Sequence, residues 1–149
     1  MFEIESKKQD EIKISIKNNT ISVDVAEGVV EAGLAVGAIA GPGEFEIGEA
    51  AILGIGVGNE KTIYVAEIGG VRIGIVGGIE EKLDELGMVD ILCTSSTKAV
   101  KEVSPKLVVA MGNLDGMVSE LKLTARAEKK LKIKNADSLP TTLEVVALS

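Results

Sequence analysis

The stretch Glu11-Ile-Lys-Ile-Ser-Ile-Lys17 alternates strictly between polar and apolar residues, and Ile21, Val23 and Val25 alternate after it. A period of two puts one set of side chains on one face of a strand. These residues therefore predict a hairpin with Ile12, Ile14 and Ile16 facing inward. Asn18-Asn19 between the two runs tolerates the positive φ of a two-residue turn. From Gly28 to Gly43 the chain is apolar and small, with one charge, Glu31. A short helix over Glu27–Leu34 and a buried strand over Val36–Ala40 both satisfy that stretch, because a short apolar run has no diagnostic period. Gly41-Pro42-Gly43 closes it as a turn.

Strand patterns follow at Glu44–Ile47, Ala51–Val57, Thr62–Ile68 and Val71–Val76, with Gly69-Gly70 as a tight hairpin between the last two. Glu80–Leu86 then reads as a helix closed by Gly87, the residue favoured just past a helix end. Asp90–Cys93 reads as a strand, Ser95–Val103 as a helix stopped before Pro105, and Lys106–Met111 as a buried strand. Leu114–Leu121 predicts a short helix, and Lys130–Lys134 and Leu143–Leu148 two closing strands. Hairpins first, then strands alternating with helices, point to a sheet sandwich with helices packed outside.

The length of 149 residues fits one domain spanning 1–149. Aromatic residues make up only 2% of the chain, so the core must be aliphatic, and 17 Val and 16 Ile supply it with a bias toward strands. The sequence has no histidine, which removes the commonest general base and the commonest metal ligand. A net charge of −7 argues against nucleic acid or an anionic membrane as the main partner. That charge is segregated. No Lys or Arg occurs from Asn18 to Glu60, whereas Lys122, Arg126, Lys129, Lys130, Lys132 and Lys134 face only Glu128. A single cysteine, Cys93, cannot form an internal disulfide and fits a reducing compartment. With a polar start from Met1 to Lys8 and no apolar run of about 18 residues, the expectation is a cytoplasmic protein without a membrane span.

Several collinear segments carry a family resemblance. Gly41-Pro-Gly-Glu-Phe-Glu-Ile47, Thr62-Ile-Tyr-Val65, Gly70-Val-Arg-Ile73, Leu86-Gly-Met-Val-Asp-Ile-Leu92 and Ser104-Pro-Lys-Leu-Val-Val-Ala-Met111 resemble the metallo-β-lactamase-fold hydrolases, in particular the branch related to ascorbate-6-phosphate lactonase. Leu131-Lys-Ile-Lys134, Leu139-Pro140 and Glu144-Val-Val146 fit the same branch, so the resemblance runs from about Glu11 onward. It implies an α+β fold, an αββα sandwich in reduced form, with two mainly antiparallel sheets and outer helices. It also implies where metal ligands would stand: a His-x-His-x-Asp-His loop before the Gly-Pro-Gly-Glu turn, an aspartate after the strand matching Val71–Val76, and a histidine after the strand matching Lys106–Met111. Between Val25 and Gly41 there is no such loop, Gly78 stands where the aspartate belongs, and Gly112 follows Met111 where the histidine belongs. Zinc sites need converging imidazole, thiolate or carboxylate donors. The expectation is a catalytically inactive relative with no metal and no cofactor.

Other signals are weaker. Ser95-Ser-Thr-Lys98 matches a Ser-x-x-Lys nucleophile pattern but lacks its companion elements, and a helix cap by Thr94, Ser95 or Ser96 explains it better. Gly54-Ile-Gly-Val-Gly58 does not open into a helix, and Glu80 and Glu81 after Gly77-Gly78 would repel a phosphate. Glu44 and Glu46 share a strand face that reads as solvated rather than calcium-binding, and Cys93 reads as a small core residue. The basic run lacks the aromatics that stack on bases.

The expected function is therefore structural or protein-binding, as a homo-oligomer, with Val29, Val30, Leu34, Val36 and Ile39 supplying apolar contact between chains. The alternatives are a metal-free enzyme built on Ser95, Lys98 or Asp24, and a small-ligand sensor using the former active-site cleft. The same apolar segment folded inward as ordinary core satisfies the pattern equally.

Overall fold

The computed structural model describes residues 1–17, 19–32 and 37–148; within that range the side chains of residues 32 and 37–39 are not described. Among the described residues, fourteen strands form two sheets. The first sheet contains β1 (Phe2–Lys8), β2 (Glu11–Ile16), β3 (Asn19–Asp24), β4 (Val29–Ala32), β5 (Gly37–Ala40) and β13 (Leu131–Ile133), in the order β13-β1-β2-β3-β4-β5. Every pairing in it is antiparallel.

The second sheet contains β6 (Gly43–Ile47), β7 (Ala50–Val57), β8 (Lys61–Ile68), β9 (Val71–Gly77), β10 (Ile91–Thr94), β11 (Leu107–Ala110), β12 (Ala125–Glu128) and β14 (Glu144–Leu148). Its order is β12-β14-β11-β10-β9-β8-β7-β6. β6 to β9 run antiparallel as hairpins, and β9, β10, β11, β14 and β12 run parallel. Parallel neighbours need crossovers. Helix α1 (Thr97–Val103) lies between β10 and β11, and helix α2 (Leu114–Leu121) between β11 and β12.

The expected two-sheet sandwich is present. Ile12, Ile14, Ile21 and Val23 are fully buried, and the register sets Ile14 opposite Ile21 and Ile12 opposite Val23. They meet Ile52, Tyr64, Ile73, Ile75, Ile91 and Val109 from the second sheet in one core. Each such aliphatic side chain stabilises the fold by about 1.5–3 kcal/mol relative to exposure. A second core lies on the outer face of the second sheet, where Ala99 and Val100 of α1 and Met117 of α2 pack on Val65, Leu92, Val108 and Val145. Among the described residues, helices cover only the second sheet. The outer face of the first sheet bears ion pairs instead: Lys13–Glu5 at 3.6 Å, Lys130–Glu3 and Lys130–Glu5 at 3.7 Å, and Lys8–Asp24 at 3.8 Å.

Some expectations are corrected. Ile16 pairs with Asn19, so Asn19 opens β3 rather than sitting in the turn. The helix considered over Glu27–Leu34 does not form in the described part: Val29–Ala32 is β4, because its backbone completes the ladder on β3 and its β-branched valines favour that pleat. Lys82 takes the left-handed conformation at φ 55, which interrupts any helix begun at Glu80 and leaves one 3-10 turn, Leu83–Leu86. β1 and β12 were not read from the pattern.

Two short links fix the flanks of the sandwich. Gly41-Pro42 joins β5 to β6, and Lys129-Lys130 joins β12 to β13. The free edges β5 and β6 therefore lie together on one flank, and β12 and β13 on the other. Charge segregation in sequence becomes segregation in space: the flank of β5 and β6 belongs to the stretch without Lys or Arg, and the opposite flank carries the basic run.

Candidate functional site

In sheets with parallel strands, ligands bind outside the carboxyl ends of those strands. Here the ends of β9, β10 and β11 lead into Gly78, Ser95 and Gly112, and the turn between β1 and β2 brings Gln9 and Asp10 over them. Backbone bonds fix the ends: Ser95 N–H donates to Gly77 O at 2.9 Å, and Met111 N–H to Thr94 O at 2.9 Å. The Thr94 hydroxyl donates to Gly77 O at 2.6 Å, and Asn113 Nδ2 donates to Ser95 O at 3.1 Å. A side chain added at Gly78 would meet Ser95 Oγ at 3.2 Å, and one at Gly112 would meet Gln9 Nε2 at 3.3 Å. Asp10, Val25, Ala26, Lys61, Gly78 and Ile79 line an open cleft of about 400 Å³ at this end.

The other polar groups nearby are engaged in structure. Ser96 caps α1, accepting from Ala99 N–H at 3.1 Å, while its hydroxyl donates to Glu80. Of the three capping residues the sequence offered, Ser96 is the one that caps. Glu81 accepts from Gly58 N–H at 3.2 Å, so a carboxylate occupies an amide of the glycine-rich stretch. Asp24 accepts from Glu27 N–H at 3.0 Å and pairs with Lys8. No hydrogen bond or ion pair among the described residues joins Ser95, Lys98 and Asp24, so the structure does not assemble them into a nucleophilic site. Cys93 is fully buried and burial pushes its thiol up to about 12, which suits a core residue and not a nucleophile.

The segment expected to supply apolar contact divides. Val30 is fully buried in the core between the sheets and is unavailable to a partner, because its register with Val23 directs it inward. Val29 is half-buried beside Glu27 and Glu31. Leu34 and Val36 lie outside the described residues, and Ile39 is placed only by its backbone, opposite Val30 in β5. Met1 and Met88 are the strongly exposed large apolar side chains among the described residues.

No family model matches the sequence, and no curated protein matches it. Among solved structures, a Thermotoga maritima chain described as a candidate Zn-dependent hydrolase of the metallo-β-lactamase superfamily superposes with a TM-score of 0.74. The alignment covers 99% of this chain and 98% of that one, at 16% sequence identity. The sandwich is a metallo-β-lactamase-like fold. Identity at this level carries the fold and no activity. The fold family implies zinc, and the cleft does not match it: the strand ends offer two glycines and a serine, with Asp10 and Gln9 above them. Among the described residues no group of three or more His, Cys, Asp or Glu side chains is placed to hold a metal ion. No described helix is long and apolar enough to cross a membrane.

Proposed function

We propose that this chain is a non-hydrolytic protein of metallo-β-lactamase-like fold that acts in the cytoplasm by associating with copies of itself. The observation that carries the reading is the opposition of flanks: an acidic flank without Lys or Arg and a basic flank held at the far ends of the same two sheets. Complementary charge orients such a contact and speeds it more than it tightens it. Gly78 and Gly112 support the non-hydrolytic half, since they bring no donor to the positions where the resemblance expects ligands. The test is sedimentation of the intact protein across concentration and salt. Mass that rises with concentration and falls toward the monomer in high salt supports the reading. A monomer at high concentration in low salt ends it. Elemental analysis after dialysis is the second check, and about one transition metal per chain would overturn the non-hydrolytic half.

A further inference from the structure

Most of the outer face of the second sheet lies beneath α1, α2 and the 3-10 turn, but it stays open over β6 and over the parts of β7 and β8 that carry Ala51, Leu53 and Glu67. Register there builds two transverse rows. Glu46 is paired with Ala51, Ala51 with Glu67, and Glu67 with Arg72; Glu44 is paired with Leu53, Leu53 with Val65, and Val65 with Gly74. The result is a groove of about 360 Å³ with an apolar floor of Leu53 and Val65 and carboxylates at its rim. Arg72 lines the groove and neutralises one rim carboxylate, Glu67, which leaves Glu44 and Glu46 uncompensated. Its Nε donates to Met88 O at 2.7 Å, one terminal nitrogen to Leu86 O at 2.8 Å and the other to Glu67 at 3.2 Å. Glu44 and Glu46 are exposed and have no ion pair among the described residues.

We propose that this groove is the docking site for the β12–β13 flank of a second copy of the chain, which makes the contact head-to-tail. The inference rests on the self-association reading above and names its surface. The occupant follows from charge: the stretch from Lys122 to Lys134 is the one basic run in an acidic chain. Lys130 on that flank is already paired with Glu3 and Glu5, and Arg126 with Glu128 and Glu144. Lys122 and Lys129 are exposed, have no ion pair among the described residues, and bracket the free edge strand β12. A lysine fits such a groove in both parts, since its methylene stem covers apolar floor while its ammonium reaches a rim carboxylate. Because groove and flank are different surfaces, the contact is heterologous and generates rings or filaments rather than a closed two-fold dimer.

The experiment compares the full chain with Glu44→Lys/Glu46→Lys and Lys122→Glu/Lys129→Glu by analytical ultracentrifugation, with circular dichroism confirming that each is folded. All four positions are exposed, so the sheets tolerate the exchange. The wild type is expected to associate in low salt, and each variant to associate roughly tenfold more weakly or less. An equimolar mixture of the two variants should recover association, because each then meets reversed charge on the other. If the wild type associates and both variants match it, the groove is the wrong surface while self-association stands. If the wild type associates and the mixture fails to recover, charge pairing between these two surfaces is refuted. A wild type that stays monomeric at high concentration in low salt overturns this proposal together with the reading beneath it.

Discussion

Replacing Tyr64 with phenylalanine isolates one atom in the middle of the sandwich. Tyr64 sits in β8 between Gly54 and Ile75 and is fully buried; its hydroxyl makes no hydrogen bond of ordinary geometry among the described residues, and Thr62 is the polar side chain beside it. A buried hydroxyl without a partner costs about 1–3 kcal/mol. Phenylalanine keeps the ring and its packing against Gly54, and the small void left by the oxygen loses only contacts worth about 0.1–0.2 kcal/mol each. The expected net effect of Tyr64→Phe is a gain of about 1 kcal/mol, read as a rise in Tm of about 2–4 °C and an unchanged denaturant slope. The alkaline limb sharpens the test, because Tyr64 is the one tyrosine of the chain and absorbance titration reads it alone. Burial raises its pKa above the ordinary 10.0, against a smaller lowering by the Thr62 side chain. The neutral form is shared by folded and unfolded chains below about pH 10, so nothing is lost there. Above it the unfolded chain ionises first, and Tyr64 costs stability at up to about 1.4 kcal/mol per pH unit until its folded pKa is passed. The phenylalanine variant lacks this alkaline loss. A variant less stable than wild type by about 1 kcal/mol or more would refute the reasoning, since it would mean the hydroxyl has a partner.

Two further expectations are simpler to read. Cys93, with its thiol pushed up to about 12, should resist aqueous thiol reagents at pH 8 in the native protein and react only on unfolding; fast labelling of folded protein would contradict its burial. Gly54→Ala should destabilise by about 1–3 kcal/mol, because the added Cβ would lie 3.1 Å from Gly41 O and 3.2 Å from both Thr62 Cγ2 and Tyr64 Cε1; chemical denaturation with an unchanged midpoint would show that the corner between the sheets yields more readily than this packing implies.

The sequence made most of the sandwich legible because its inner faces repeat with a period of two. Ile12, Ile14, Ile52, Ile73 and Ile75 announce their strands, and Gly69 and Gly70, at φ +56 and +80, announce the hairpin between β8 and β9. β12 gave no such signal. Ala125-Arg-Ala-Glu128 has low strand propensity and an exposed surface, and it is a strand because β14 offers it a parallel edge. β1 was hidden by the charges of its outer face, Glu3, Glu5 and Lys8, although Phe2 and Ile4, which alternate with Glu3 and Glu5, are core. The 3-10 turn looked like a helix because Leu83 and Leu86 lie three apart, a spacing both helices share, and the left-handed Lys82 left no mark in the residue pattern. At the candidate site, the glycines at 78 and 112 were readable. The partners Gln9 and Ser95, and the groove over Leu53 and Val65, depend on tertiary register and were not.

The pairing of β1 with β13 has a consequence for how the protein is made. Phe2 lies opposite Ile133, so β1 leaves a ribosome about 130 residues before the strand that closes its edge. At roughly 5–20 residues per second the delay lasts from several seconds to tens of seconds. β1 to β4 are successive antiparallel neighbours and can assemble meanwhile, which leaves one edge of a nascent sheet open to other nascent chains. The alternating charges of β1 and the Glu11 and Lys13 beside it give that growing sheet a face which resists stacking while it waits.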